Sequence, residues 1–335
     1  MLKAHILLRG VRIGFPAFCM ATAMLFVASD KEAMAAERMS ITTGPNGGIY
    51  YTIGGVWAEL MNKKTGIRIT PEIGKAGRGN VLLVSNKQAN FAVNGDAISY
   101  EGYKGIGWST KKAYTGIRNI APMGYGYFQW WSRADRANAK TISDLKGLTL
   151  GLAAPGGVID VWGRKVLAYF KVPDFRVVNA PHVQLTSMMS DNLVQVHGTF
   201  AGVPHPAATE QASRFPLNFI GFTEAEITAF TKEYPYVVAG MMPANSYKGQ
   251  AAPVRTLVSY DTISTHKDTD EEIVYKLTKA TYENREALHR LHKAISAIDA
   301  ESIGKLSVPY HAGAVRYYRE VGIKLPSNLI PPEAK

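Results

Sequence analysis

The sequence predicts an α/β protein of two similar lobes, and three observations carry that expectation. Strand-like and helix-like periods alternate through the first half of the chain, the alternation restarts near residue 145, and each half places a Gly/Pro-rich turn between a strand and a helix. Strand, helix, strand, helix, strand in succession is the pattern of a sheet with parallel neighbours and helices on its faces.

The elements read in order as follows. "SITTG" is a short strand that runs into "TTGPNGGIYYTIGG", a turn directly before a helical run in which Ile53, Val56, Trp57, Leu60 and Met61 share one face. "IRITPEI" alternates as a strand, "GNVLLVSNKQ" reads as a helix, and "NFAVNGD" is a further strand ending at polar residues. In the second half, "LKGLTLGLAAPGG" is a strand entering the second glycine turn, and Val158, Val161, Trp162 and Val166 mark the helix after it. The two strand–turn–helix units lie about 110 residues apart and share a pattern rather than a sequence.

"FQWWSR" puts Trp130 and Trp131 on opposite faces of a strand, one expected in the core and one at a surface or cleft, and the chain is expected to cross between lobes here. "TDEEIVYKLTKATYENREALHRLHKAI" reads as one long helix, with Thr269 and Glu272 as its capping box. The proline-rich end "LPSNLIPPEAK" is expected to wrap the surface.

Residues 1–35 read as a secretory leader: Lys3, Arg9 and Arg12 precede the apolar run "IGFPAFCMATAMLFVA", and "AMA" at Ala33–Ala35 is a small-residue cleavage signal. That run has 16 residues and contains Pro16, short of the roughly 20 that span a bilayer. The single cysteine, Cys19, lies inside it behind Phe18, where lipidation needs a small residue. Cleavage near Ala35 therefore leaves about 300 residues without disulfide, cysteine nucleophile or thiolate metal site. Removing four basic and two acidic leader residues lowers the formal charge from +11 to +9. An exported basic protein suits an anionic ligand or envelope surface rather than nucleic acid.

A glycine turn opening a helix leaves unpaired backbone N–H groups that favour an anion. "TTGPNGGIYYTIGG" lacks the Lys-Ser/Thr of a phosphate loop and the G-x-G-x-x-G spacing, so a nucleotide is not expected. A tight turn without a ligand is the commoner fate of such clusters, and the presence of two tilts the reading toward binding. One of Tyr50 and Tyr51 is expected to face the cleft. His197 and His205 flank "GTFAGVPHP", a loop that could line the cleft and that brings Thr199 and Pro204 into the expected shell, although each histidine alone is more often structural than functional. His289 and His292 alternate with Arg290 and Lys293, which repel a cation, so they read as a solvated basic face. No G-x-S-x-G elbow or H-E-x-x-H pair is present, and neither enzyme, metal nor cofactor is expected.

The chain resembles the TAXI-type solute receptors of TRAP transporters. The resemblance rests on "TGPNGGIYY", on "GRGNVLLVSNKQANFAVNGDAISYEG", on "TISDLKGLTLGLAAPGG", and on the C-terminal "EEIVYKLTKATYEN" and "VPYHAGAVRYYREVGI". It implies a type II periplasmic binding-protein fold with the ligand cleft between lobes, lobe I as residues 36–130 plus 254–335 and lobe II as residues 131–253. It also implies a monomeric periplasmic protein that captures a small organic anion, a carboxylate or amino acid, for a TRAP membrane permease. By motif match, the ligand shell draws on Gly47, Gly48, Tyr50 and Tyr51, on Gly77 and Asn80, on Asn94 and Asp96, and on Gly156 and Gly157.

Three departures bear on the ligand. Relatives often carry Ser and Thr in the second turn where this chain has Gly157 and Ile159, G-S where it has Ala76-Gly77, and D-A near Val196-His197. The missing hydroxyls predict weak glutamate binding and a preference for an acid with a less polar or bulkier body. An ABC-importer receptor of similar fold, an enzyme related to thiamine-pyrimidine synthases, and a surface binding module are the alternatives.

Overall fold

The computed structural model describes residues 38–46 and 48–335. The expected leader, with Cys19, and Gly47 lie outside the described residues. The first wing follows the predicted alternation: β1 (Met39–Thr42), α1 (Ile49–Thr65), β2 (Ile69–Glu72), α2 (Gly77–Ser85), β3 (Phe91–Gly95) and α3 (Asp96–Lys104). The long strand β4 (Ile117–Arg133) leads out of it. The second wing holds β5 (Thr149–Gly151), α4 (Val158–Tyr169), β6 (Arg176–Val178), α5 (His182–Ser190) and β7 (Val196–Ala201). It continues through α6 (Pro206–Arg214), β8 (Leu217–Ile220), α7 (Glu224–Glu233) and β9 (Val238–Met242). Strand β10 (Val254–His266) returns the chain, and α8 (Glu271–Glu283), α9 (Arg285–Leu291), α10 (Ala300–Ile303) and α11 (Ala312–Glu320) complete the first wing.

The strands form one sheet in the order β2-β1-β3-β10-β4-β7-β5-β6, with β8 on β4 and β9 on β10. Neighbours are parallel inside each wing, where helices make the crossovers, as between β1 and β2 or β5 and β7. The joining strands are antiparallel: β10 pairs with both β3 and β4, and β4 pairs with β7. A purely parallel sheet is therefore not what forms. The wings are joined by two long strands paired from Val258↔Tyr127 to His266↔Ile117, with irregularities near Asp261/Thr262 and Ile263/Ser264. The expected boundary at residue 131 falls inside β4, and the one at 254 coincides with the start of β10.

Hydrophobic burial explains the elements. Ile53, Trp57 and Met61 on α1 are fully buried, and Trp57 packs edge-on to Phe91 while its indole N–H donates to Thr281 Oγ1 at 2.9 Å. Gly66 ends α1 in the left-handed conformation at φ 74°, where glycine has no Cβ to clash.

Two local expectations are corrected. Trp130 and Trp131 do point to opposite faces, into separate clusters, but both are fully buried and neither lines a surface or cleft, because helices cover both faces of the second wing. The long C-terminal helix is two helices broken at Asn284 and ending at Leu291. Its cap is Asp270, whose carboxylate accepts from the Ile273 amide at 2.9 Å, while the Thr269 hydroxyl pairs with Thr265. Among the described residues no helix is long and apolar enough to cross a membrane.

Candidate functional site

Between the wings lies a cavity of about 310 Å³. Gly44, Pro45, Asn46, Gly48, Ile49 and Tyr50 line it from the first turn, and Lys75 and Ala76 from the start of α2. The second wing supplies Ala153, Ala154, Pro155, Gly157 and Val158, then Asn179–His182, Thr199–Ala201 and His205. Within each wing the parallel strands end on the same side, so the helices that follow them begin there. The two sets run in opposite directions through the antiparallel join, so their carboxyl ends face each other across the cavity.

The N-termini of α1, α2, α4, α5 and α6 all meet the cavity, through Gly48, Ala76, Gly157, Pro181 and His205 as their N-cap residues. None of these five has a side-chain cap, as is also true of α3 and α9 away from the cavity, whereas α7, α8, α10 and α11 are capped by Thr223, Asp270, Asp299 and His311. First-turn N–H groups without a side-chain acceptor, added to about half a positive charge per helix end, make the cavity a place for negative charge. No aspartate or glutamate lines it among the described residues, and Lys75 adds a cation.

Tyr50 presents its ring to this space and donates its hydroxyl to Asp261 Oδ1 at 2.7 Å. Burial pushes the Asp261 carboxyl up to about 7, against the opposing pull of the Tyr50 hydrogen bond. Burial first, and then the Asp261 charge, raises the Tyr50 hydroxyl well above its ordinary range, so it stays protonated. Opposite, Asp160 braces the second turn: it accepts from the Gly156 amide at 2.8 Å and is held by Arg164 and Asn179.

The third wall is made of histidines. His182 Nδ1 lies 2.9 Å from His197 Nε2, and the His182 and His205 rings are 4.5 Å apart between centroids. Burial pushes His182 down to about 4, and burial with the neighbouring rings holds His197 and His205 well below the ordinary histidine range. All three are neutral at neutral pH.

The structure brings together part of the expected shell. Gly48, Tyr50, Gly157 and Thr199 line the cavity. Gly47 is outside the described residues. Tyr51 points away and is 41% exposed. Asn80 is fully buried behind the first turn, where its Nδ2 donates to the carbonyls of Thr43 at 2.8 Å and Val93 at 2.9 Å. Asn94 is buried in β3. Asp96 accepts from Asn119 at 3.0 Å and the Ser307 amide at 2.7 Å, so it anchors the C-terminal segment. Burial raises its carboxyl despite those bonds.

Gly77 and Gly156 lie off the cavity wall on the seam between wings, where the Arg78 amide donates to Gly156 O at 3.3 Å. Pro204 is adjacent to the wall, and the side chain on it is that of His205. Ile159 is a core residue at 4% exposure, so a threonine there would not reach a ligand. His182 and Asn179 were not expected. The signal was "NAPHVQL", a strand end followed by Pro-His at a helix start.

Ala76 has φ 54° and ψ −179°, a region that glycine alone adopts without strain. Ala76→Gly is therefore expected to raise the unfolding free energy by about 1 kcal/mol, since strain of about 1–3 kcal/mol is relieved against the entropy of an added glycine. A urea midpoint equal to or below that of the parent protein contradicts this.

Two wings sharing one sheet, with a cavity at the carboxyl ends of their parallel strands, define the type II periplasmic binding-protein fold. The chain belongs to the NMT1-like family, whose match covers residues 41–322. Solved structures with a similar fold include an amino-acid ABC transporter substrate-binding protein, AbpA from Streptococcus pneumoniae, bound to L-arginine, at 11% identity over 77% of this chain and 92% of that one, TM-score 0.48. The GluR0 ligand-binding core with L-glutamate matches at 9% over 78% and 100%, TM-score 0.48. A putative L-cystine ABC transporter protein from Listeria monocytogenes matches at 9% over 78% and 97%, TM-score 0.48.

Proposed function

We propose that this chain is an exported solute receptor that captures a small organic anion between its wings and hands it to a membrane transporter from the periplasm. One observation carries the reading: five helix N-termini without side-chain caps meet one cavity that has no acidic side chain among its described lining. Such a wall stabilises negative charge without a metal. The reading is of a binder rather than a catalyst.

For delivery, AbpA and the Listeria protein are described as ABC transporter proteins, and the ABC-importer route is preferred here over the TAXI-type TRAP permease. Crosslinking in cells, with identification of the membrane partner, decides between an ATP-driven translocator and an ion-driven permease.

Binding itself is tested by thermal unfolding across a panel of carboxylates and amino acids. Ligand at 100 times its dissociation constant stabilises a fold by about 2.7 kcal/mol, a clear rise in Tm. Monocarboxylates are expected to give larger shifts than glutamate, because among the described residues the cavity lining has no carboxylate to pair an ammonium group. A flat response across the panel removes the receptor reading, and tight glutamate binding removes only the selectivity.

A further inference from the structure

The histidine wall extends the receptor reading, on which this inference rests, to the chemistry of the ligand. His182 and His205 line the cavity, and His197 backs them in β7. His205 is 1% exposed, and its Nδ1 finds no hydrogen-bond partner among the described residues. Three imidazoles in contact, without a carboxylate among them, are arranged to accept a proton as soon as a negative charge arrives.

We infer that the cavity takes a monocarboxylate with an apolar body, its acid group against His182 and His205, and that it binds together with a proton held by this histidine cluster.

The charged and titratable surroundings are consistent with that assignment. From β4 the cluster meets the Trp131 ring, 4.6 Å from the His197 ring. Tyr247 accepts from the His205 amide and stays protonated, because burial raises its hydroxyl. Across the cavity stand Lys75 and Tyr50, with Asp261 behind Tyr50, and Asp160 sits behind Asn179 in its pair with Arg164. Among the described residues no acid lines the cavity beside the rings, and burial holds the free cluster neutral. The rest of the wall is Ile49, Val158, Phe200, alanines and prolines, which suits a hydrocarbon body.

The sign follows from linkage. Burial disfavours the charged imidazolium in the empty cavity, and an anion within hydrogen-bond reach favours it, so binding raises the histidine pKa. Between the free and bound values, binding takes up a proton and affinity rises as pH falls. The gain levels off near pH 4, where His182 is charged without ligand.

The test uses benzoate, phenylacetate and 4-methylvalerate as probes, titrated calorimetrically into EDTA-treated protein in HEPES and in Tris, buffers of different ionisation enthalpy. The expected result is uptake of about one proton per bound carboxylate, and an affinity that rises toward tenfold per pH unit from pH 8 to 6. His182→Asn/His205→Gln is expected to bind more weakly with the proton uptake and pH slope both lost. If that double variant does not fold, the single variants carry the comparison, each with a reduced slope. Imidazole nitrogen NMR should show one neutral ring become charged when phenylacetate is added. Carboxylate binding without proton uptake, or uptake that persists in the histidine variants, overturns the inference and leaves the receptor standing. Binding of zwitterionic amino acids but none of the probes overturns the ligand class. A panel in which nothing binds removes the receptor reading instead.

Discussion

Lys165→Met is expected to weaken ligand capture by about a hundredfold or more, with an expanded scattering radius in the presence of ligand. Lys165 on α4 of the second wing reaches across to Glu101 on α3 of the first. Glu101 is fully buried, its Oε1 is shared by Lys165 and by the Tyr236 hydroxyl at 2.9 Å, and its Oε2 has no partner among the described residues. Tyr236 also packs on Tyr100 at 5.0 Å, and the Lys165 ammonium lies 4.3 Å from the Trp162 ring. The seam thus holds a charged pair among aromatic rings.

Removing one member of such a pair strands a buried charge, at a cost of about 3–5 kcal/mol. Here the molecule can escape that cost by parting the wings and hydrating Glu101. The penalty then falls on closure rather than on folding. Three kcal/mol is roughly two decades in affinity. Glu101→Gln/Lys165→Met leaves no buried charge and keeps an acceptor for Tyr236, so it should recover binding to within about tenfold, as coupled neighbours do in a double-mutant cycle. Calorimetry with any carboxylate from the thermal screen, with scattering on the same samples, checks both statements. Wild-type affinity and an unchanged radius in Lys165→Met would show that this pair does not bear on closure.

The wings and their turns were legible in the sequence because period and punctuation are local signals. The alternation that marks β1 through β3, and the two glycine turns that open α1 and α4, needed only neighbouring residues. The antiparallel join was not legible, since β4 and β10 pair across more than a hundred residues of intervening chain. The candidate site was half legible for the same reason. Gly48, Tyr50, Gly157 and Thr199 follow from turns and a strand end. Asn80 and Asp96 carry ligand-like side chains, yet tertiary packing uses them to tie β1, β3 and the C-terminal segment together. His182 meets His197 and His205 only because α5 starts beside β7, and a residue's spacing along the chain does not report that.

Gly77→Ala should abolish tight closure, with affinity reduced at least a hundredfold and little change in the stability of the unliganded fold beyond backbone strain. Gly77 opens α2 at φ 51°, and a Cβ there would lie 2.9 Å from Gly156 O, Gly157 C and Val158 N. These are backbone atoms of the opposite wing, so no side chain can swing aside. The wings must separate, and the Arg78 amide to Gly156 O bond across the seam goes with them. The left-handed conformation alone costs an alanine about 1–2 kcal/mol. Gly66→Ala separates the two effects, because Gly66 has φ 74° and nothing within 4 Å of its Cβ position. It should lose similar stability, read from urea unfolding, and bind the same carboxylate as the parent protein does. A Gly77→Ala protein that binds like Gly66→Ala would mean that the wings do not need this contact, and the seam would lose its place in capture.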